Sequence, residues 1–307
     1  MKRFGTTVIA APLPAPRDHW VTPMEPAAPQ GASVGVAQAV VGHQAMLGTA
    51  FCRVEAAVAS SCGAQRGSNE DAHSQLGDRG QLFIVADGVG GGAMAALASR
   101  ELVSHLHSAL DGQRIDDARV ARAVLSADRA VAQRIGQVTD APGAATFVLC
   151  APANLFASRW LVAWVGDCRV YRLARHADTG IELLTHDDSF RHLNETPPSG
   201  GLPDDPARMV GNGATLGASV GRHALARGDL LVLCSDGVHK HLASGDWCHI
   251  LRQPVTLLQR CQALIATARA NGSLDDATVL LLRRDGLLCP HWITRLMATG
   301  GAGRRAR

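Results

Sequence analysis

The chain has 307 residues, of which 47% are hydrophobic and 19% charged, and its formal net charge is +3. This composition is that of a globular protein and excludes a collagen-like or wholly disordered chain. The small net charge gives no support to nucleic-acid binding, so we expect no nucleic-acid partner. No stretch approaches the roughly 18 apolar residues that a membrane-spanning helix needs, so we expect no membrane partner.

The N-terminal residues and the cysteines bear on the cellular compartment. Prolines such as Pro12 and Pro14 interrupt the apolar run that a signal peptide would need. The eight cysteines include no C-x-x-C pair, and Cys150 and Cys234 lie inside apolar runs. Reduced, buried thiols are expected from this pattern. We therefore expect a cytoplasmic protein.

Residues 1–48 are the first segment in chain order, and they carry several prolines among alanines without helical or strand periodicity. This pattern predicts a poorly ordered arm. Short β-rich segments follow from Phe51 onward, and they are predicted as strands over 54–61, 82–87, 145–151, 160–166, 170–174, 181–185, 230–235 and 277–283.

Three segments have the helical spacing of apolar residues, at 94–110, 120–131 and 257–268. Residues 186–226 lack periodicity and are rich in Gly, Pro and Asp, so they predict a long irregular segment. The order of the elements is not the strict alternation of strand and helix that a parallel sheet requires. An α+β fold with antiparallel strands is therefore predicted.

Acidic residues stand at the ends of three predicted strands. Asp87-Gly88 and Asp236-Gly237 each follow an apolar strand, whereas Asp275 precedes the last one. If the last strand runs antiparallel to the other two, the three carboxylates converge at one edge of a sheet, where their repulsion requires a cation. Oxygen ligands favour Mg²⁺ or Mn²⁺ over zinc.

Each Asp-Gly pair taken alone is more often a turn than a metal ligand, and we interpret Asp111-Gly112 and Asp285-Gly286 as turns. The coincidence of two Asp-Gly pairs after apolar strands favours the metal site. A compact polar cluster that follows another strand adds to it, and this cluster consists of Arg66, Asn69, Glu70 and Asp71.

The order and spacing of five segments resemble the motifs of the metal-dependent protein phosphatase (PPM, type 2C) family in its bacterial form. They are Arg66-Gly67-Ser68-Asn69-Glu70-Asp71, Val85-Ala86-Asp87-Gly88-Val89-Gly90-Gly91, Val165-Gly166-Asp167-Cys168-Arg169, Cys234-Ser235-Asp236-Gly237 and Asp275-Asp276-Ala277-Thr278. The resemblance implies a sandwich of two antiparallel β-sheets flanked by α-helices. It assigns residues 49–287 to a phosphatase domain and leaves 288–307 as a C-terminal tail.

The activity that the resemblance implies is hydrolysis of phosphoserine and phosphothreonine by water activated between two Mn²⁺ or Mg²⁺ ions. Asp87 would bridge both ions and act directly in catalysis, and the Gly88 carbonyl would join the second ion. Asp236 and Asp275 would hold the first ion.

Four further residues receive roles from the same resemblance. Glu70 and Asp71 would hold waters or complete the second metal site. Arg66 would bind the substrate phosphate as a catalytic residue, because its planar fork suits two oxygens at once. Asp167 would contribute to a third, weaker metal site with help from Asp236.

Three positions depart from the family pattern. Val89 stands where animal members carry a histidine proposed as the general acid, so a proton must reach the leaving group from another source. Asp188 stands where bacterial relatives usually have histidine, and Asp276 where they usually have asparagine. The added charge of Asp276 either tightens metal binding or lies in solvent.

Competing functions rest on weaker patterns. The C-x5-R spacing from Cys289 to Arg295 is that of a cysteine phosphatase, but Pro290 removes a backbone amide that this loop needs, so we treat it as chance. His239 and His241 lack zinc-site spacing but lie near the predicted site. A catalytically weak regulator that binds phosphoproteins, and a phosphatase of small phosphomonoesters, stay open as alternatives. The expected partners are phosphorylated proteins and a cognate Ser/Thr kinase or its targets, and the expected state is a monomer.

Overall fold

The computed structural model describes residues 40–48, 52–77, 81–141, 143–176, 180–213, 215 and 217–287. The predicted C-terminal tail and almost all of the predicted N-terminal arm lie outside these ranges. The C-x5-R match beginning at Cys289 also lies outside them. No helix in the described part of the chain is long and apolar enough to cross a membrane.

The strands follow the predicted order with three additions. Their bounds are β1 (Val41–Gly48), β2 (Cys52–Ser61), β3 (Asp71–His73), β4 (Phe83–Val89), β5 (Ala144–Pro152), β6 (Arg159–Val165), β7 (Arg169–Leu173), β8 (Glu182–Leu183), β9 (Ser219–Ala224), β10 (Leu230–Cys234) and β11 (Ala277–Leu287). They form two antiparallel sheets, the first in the order β1-β2-β11-β10-β7-β8 and the second in the order β3-β4-β5-β6-β9.

The helices are α1 (Ala93–Leu110), α2 (Asp117–Gly136), α3 (Phe190–Leu193), α4 (Asp236–His239), α5 (Ser244–Leu251) and α6 (Leu257–Ala270). Local signals fix where two of the long ones begin. The Asp116 side chain accepts a hydrogen bond from the Arg119 amide at the start of α2, and Thr256 forms a capping box with Gln259 at the start of α6.

Three apolar layers hold the fold together. The two sheets pack face to face through residues such as Val85 and Leu280. Helices α1 and α2 cover the outer face of the second sheet, where Leu102 lies in the same cluster as Phe147. Helices α5 and α6 cover the outer face of the first sheet, where Leu264 contributes to the core. This arrangement confirms the predicted sandwich of two antiparallel sheets flanked by helices.

Two parts of the predicted organisation are wrong. The arm was predicted to reach residue 48, but Val41–Gly48 pairs with β2 as an edge strand. The segment 186–226 was predicted to be irregular, but Ser219–Ala224 pairs with β6. Both strands lie at sheet edges and bury few side chains, so the alternation of apolar residues that identifies a strand is weak there.

The layer between the sheets should dominate stability. Replacing Leu280, which is fully buried there, by Ala removes apolar contacts and leaves a cavity, so the free energy of unfolding should fall by about 2–5 kcal/mol. The matched control is Leu125→Ala on α2, where the side chain is 43% exposed and the change should stay within about 0.5 kcal/mol. Urea denaturation followed by circular dichroism measures both, and equal effects of the two changes would contradict the assigned core.

Candidate active site

The predicted acidic residues converge from both sheets at one end of the sandwich. In the second sheet, the register of β3 and β4 places Asp71 directly opposite Asp87. In the first sheet, Asp236 follows β10 and Asp275 precedes its antiparallel neighbour β11. The charges of Asp71 and Asp236 both act on the Asp87 carboxyl group, so the acids of the two sheets lie close together across the sandwich.

This geometry corrects one expectation. The carboxylates were predicted to meet at one edge of a single sheet, but β4 belongs to the second sheet, whereas β10 and β11 belong to the first. Burial on both faces makes the three strands similar in sequence, so the pattern does not indicate which sheet each strand joins.

Burial and repulsion both oppose ionisation of Asp71 and Asp87, whereas Asp236, despite its burial, has a pKa lowered by the charge of Lys240. Burial, followed by the charges of Asp71, Asp236 and Asp167, raises the pKa of Asp87 well above its ordinary value. Burial and the charge of Asp276 likewise raise the pKa of Asp71. A cation at this point would reverse these effects, because an opposite charge favours the ionised carboxylate.

Unpartnered oxygen atoms show that the cluster fits a hard cation. Asp71 Oδ1 and Asp236 Oδ1 are buried and accept no hydrogen bond, although the other oxygen of Asp71 accepts one from Ser235 Oγ at 2.7 Å. Carboxylate oxygens are the ligands that Mg²⁺ and Mn²⁺ prefer. As they stand, the described side chains contain no group of three His, Cys, Asp or Glu arranged around one metal position, and two basic residues contact the acids instead.

Arg66 is the first of these basic residues. Its guanidinium donates hydrogen bonds to Glu70 Oε2 at 2.6 Å and to Asp275 Oδ1 at 2.7 Å. Burial lowers the pKa of Arg66, but the charges of Asp275 and Glu70 outweigh it and the pKa rises. About a third of the Arg66 side chain stays exposed at the surface, so it is accessible to a ligand beside the cluster.

Lys240 is the second basic residue at the cluster, and its role was not predicted from the sequence. Its Nζ lies 2.7 Å from Asp236 Oδ2 and 3.3 Å from Asp167 Oδ2. Burial and the charge of Asp236 raise the pKa of Asp167 to about 6, and Lys240 moderates this rise. The spacing of four residues between Asp236 and Lys240 was the available signal, because such pairs face each other on a helix.

Asp276 has a structural role that the sequence did not indicate, and one of the two roles left open for it, exposure to solvent, is wrong. Its two carboxylate oxygens accept hydrogen bonds from the Gly63 amide at 2.6 Å and from the Glu70 amide at 2.7 Å. The residue is 3% exposed, so it does not lie in solvent. It fixes the loop that carries Arg66 and Glu70.

Gly88 and His239 also help to shape the site. A Cβ atom on Gly88 would lie 2.3 Å from the carbonyl oxygen of Ala95, so only glycine lets α1 approach β4 this closely. His239 is buried and its Nε2 lies 2.9 Å from the carbonyl oxygen of Asp167. Burial and the nearby charge of Arg169 lower the pKa of His239 to about 4, so its ring is neutral near pH 7 and positions the Asp167 loop.

The role of Asp276 can be tested in the metal-free protein. Asp276→Ala leaves two amides without their acceptor, and each should cost about 1–3 kcal/mol of unfolding free energy. The matched control is Asp140→Ala, at an exposed position of the loop after α2. Urea denaturation in EDTA measures both variants. An unchanged stability of Asp276→Ala in EDTA would contradict the structural role.

Comparison with known proteins agrees with this geometry. The family model "Protein phosphatase 2C" matches residues 60–276, which include Arg66 and every acid of the cluster. The serine/threonine phosphatase stp of Listeria monocytogenes is 26% identical over 225 residues, which cover 68% of this chain and 86% of the relative.

Solved structures agree as well. PppA of Pseudomonas aeruginosa, described as a key regulatory component of T6SS, superposes with a TM-score of 0.64 at 25% identity, covering 75% of this chain and 97% of PppA. The catalytic domain of PstP in complex with two manganese ions has the same fold, with a TM-score of 0.62 at 24% identity over 76% of this chain and 98% of that domain. The family match covers most of the chain, and the chain therefore belongs to the protein phosphatase 2C family.

Proposed function

We propose that this chain is a metal-dependent phosphatase that hydrolyses phosphoserine and phosphothreonine in proteins. The observation that carries the proposal is the convergence of Asp71, Asp87 and Asp236 from two sheets, with buried carboxylate oxygens that lack any partner. A protein that only needed stability would not gather like charges in this way, because the arrangement is costly without a cation.

Two Mn²⁺ or Mg²⁺ ions are the proposed cofactors. Asp87 would contact both ions. Asp236 and Asp275 would hold the first ion, and the Gly88 carbonyl would join the second. Asp71 and Glu70 would complete the shell directly or through water. When bound, such ions lower the pKa of water and neutralise phosphate charge.

Arg66 is the residue that would bind the substrate phosphate. Its guanidinium is already at the cluster and partly exposed, and its present partners are the carboxylates of Glu70 and Asp275. A phosphate group could take over those hydrogen bonds, since the arginine fork pairs with two oxygens of either group. Val89 cannot donate a proton to the leaving alcohol, so the proton must come from another source.

The wider setting follows the relatives and is part of the same proposal. The substrates would be phosphorylated proteins, with a cognate Ser/Thr kinase or its targets as partners. The protein would act in signal transduction in the cytoplasm as a monomer. A catalytically weak regulator is the second candidate, but no acid of the predicted set is missing from the sequence.

Removal of the central carboxylates should abolish catalysis. Asp87→Asn and Asp236→Ala should each lower the rate of p-nitrophenyl phosphate hydrolysis in Mn²⁺ buffer by roughly 100-fold or more, because charge stabilisation of the transition state is lost. Circular dichroism should show an intact fold. The matched control Asp140→Asn should keep full activity, and retained activity in Asp87→Asn would reject this site.

A phosphopeptide panel separates the proposed substrate class from its alternative. We expect phosphoserine and phosphothreonine peptides to be hydrolysed faster than phosphotyrosine peptides and small phosphomonoesters. Preference for small phosphomonoesters over every peptide would favour the alternative phosphatase.

Lys240 should limit the number of metal ions. Its ammonium contacts both carboxylates assigned to a third metal, Asp167 and Asp236, and a cation next to a second cation is unfavourable. Lys240→Ala should therefore bind one more Mn²⁺ per chain than the wild type, whereas Lys240→Arg should not. Mn²⁺ titration followed by electron paramagnetic resonance counts the bound ions without relying on activity. Equal numbers in wild type and Lys240→Ala would contradict this role.

A further inference from the structure

A pocket of about 540 Å³ lies at the opposite end of the first sheet from the carboxylate cluster. The end of β7, the start of β10, the last residues of β11 and the helices α5 and α6 surround it. Leu230 lines the pocket at the start of β10, whereas Asp236 comes after the end of that strand. At about 3.3 Å per residue, β10 is roughly 13 Å long from Leu230 to Cys234, and this length of strand separates the pocket from Asp236. The pocket is therefore distinct from the candidate active site.

Arginine side chains dominate the lining of this pocket, which we name the arginine pocket. The arginines are Arg175, Arg227, Arg252, Arg260 and Arg283, and Asp285 is the acidic residue beside them. Arg175, Arg227 and Arg252 are exposed to water, whereas Arg260 is buried and Arg283 is half-buried. Repulsion between the guanidinium groups is therefore strongest at Arg260 and Arg283, which water reaches least.

Acceptors inside the protein satisfy only part of this charge, and one of them is the Asp285 carbonyl oxygen, which accepts a hydrogen bond from Arg227 Nε at 2.6 Å. Glu55 forms an ion pair with Arg283, and Arg260 donates a hydrogen bond to the Gln253 carbonyl at 2.7 Å. The Nε atoms of Arg260 and Arg283 are nevertheless buried without an acceptor. Arg260 is only 9% exposed, so water does not compensate for its missing partner.

The electrostatics of Arg260 agree with this geometry. Burial, followed by the charge of Arg283, lowers the pKa of Arg260, and Glu55 only partly opposes the effect. The chain after Asp285 offers no acidic side chain, because residues 286–307 contain neither Asp nor Glu. Glu55 and Asp285 thus oppose five arginines, which leaves the pocket with an excess of positive charge.

We propose that the arginine pocket binds a small molecule that carries two or more phosphate groups. Guanidinium groups bind phosphate oxygens in pairs, and several of them around one cavity suit a ligand with several phosphates. Leu173, Leu230 and Leu251 also line the pocket but are almost fully buried, so most of its accessible surface is polar. The volume falls within the range of roughly 300–1,000 Å³ that is typical of small-molecule sites.

Gly228 indicates that the mouth of the pocket is built closely around an arginine. A Cβ atom at this position would lie 2.5 Å from Cδ of Arg175, and Gly228 has φ +85°. The positive φ favours glycine at this position. The absence of a Cβ atom leaves room for the exposed Arg175 side chain beside the pocket.

Binding of ADP and of inorganic pyrophosphate to the full chain tests the proposal. Each probe is titrated calorimetrically in excess Mg²⁺ into the wild type, into Arg66→Ala, and into the double variant Arg175→Ala/Arg252→Ala. Both altered pocket residues are exposed, so the fold should persist. We expect at least one probe to bind the wild type and Arg66→Ala with similar affinity, and the double variant to bind it about tenfold more weakly or worse, because charge-assisted hydrogen bonds are lost.

The matched control is Arg122→Ala/Arg129→Ala, which removes two exposed arginines from α2 and should bind like the wild type. Equal affinity in the pocket variant and the wild type would overturn the proposal, as would the absence of binding by both probes. Binding of a doubly phosphorylated peptide but of neither probe would assign the pocket to a protein ligand and also overturn it. The readout is heat of binding, so a failure of the proposed phosphatase activity would leave this result unaffected.

Discussion

Asp71, Asp87 and Asp236 repel one another at the point where the two sheets meet. Strand register places Asp71 opposite Asp87, and packing of the two sheets brings the backbone of both close to that of Asp236. The buried oxygen atoms without partners mark where the protein alone does not compensate for this charge. Divalent ions with oxygen preference supply what the cluster lacks.

Basic residues contact the acids of the site on two sides. Arg66 is held by Glu70 and Asp275, and Asp276 fixes the loop that carries both Arg66 and Glu70. Lys240 stands on the other side, between Asp236 and Asp167. In the proposed function, Arg66 would bind the substrate phosphate and Lys240 would limit the number of metal ions.

The first sheet connects two charged regions of opposite sign. β10 and β11 run from the acidic cluster at one end to the arginine pocket at the other. The rigid, fully buried strands between them keep the two regions apart, so neither can neutralise the other. Each region is therefore expected to bind a ligand of its own, a cation at one end and an anion at the other.

Strands that bury apolar side chains and lead into an Asp-Gly pair could be predicted from the sequence. The strand that contains Asp87, which in the structure continues to Val89, and the strand that precedes Asp236 were identified in this way. The edge strands Val41–Gly48 and Ser219–Ala224 were missed, because exposed edges lack the apolar alternation. Lys240 was also missed, since its role comes from the meeting of Asp236 with Asp167, which is 69 positions away in the chain.

Sheet membership and the role of Asp276 could not be predicted for a related reason. The apolar pattern of a strand indicates that the strand is buried, but it does not indicate which neighbouring strand it pairs with. The hydrogen bonds of Asp276 to the Gly63 and Glu70 amides depend on loops that meet only in the folded chain. Such long-range contacts are not encoded in local spacing.

Anomalous X-ray diffraction from crystals grown with Mn²⁺ tests the central claim most directly. The account predicts two manganese peaks beside Asp87, with Asp236 contributing oxygen ligands. Manganese bound elsewhere in the molecule, with the carboxylates of Asp87 and Asp236 free of metal, would contradict it.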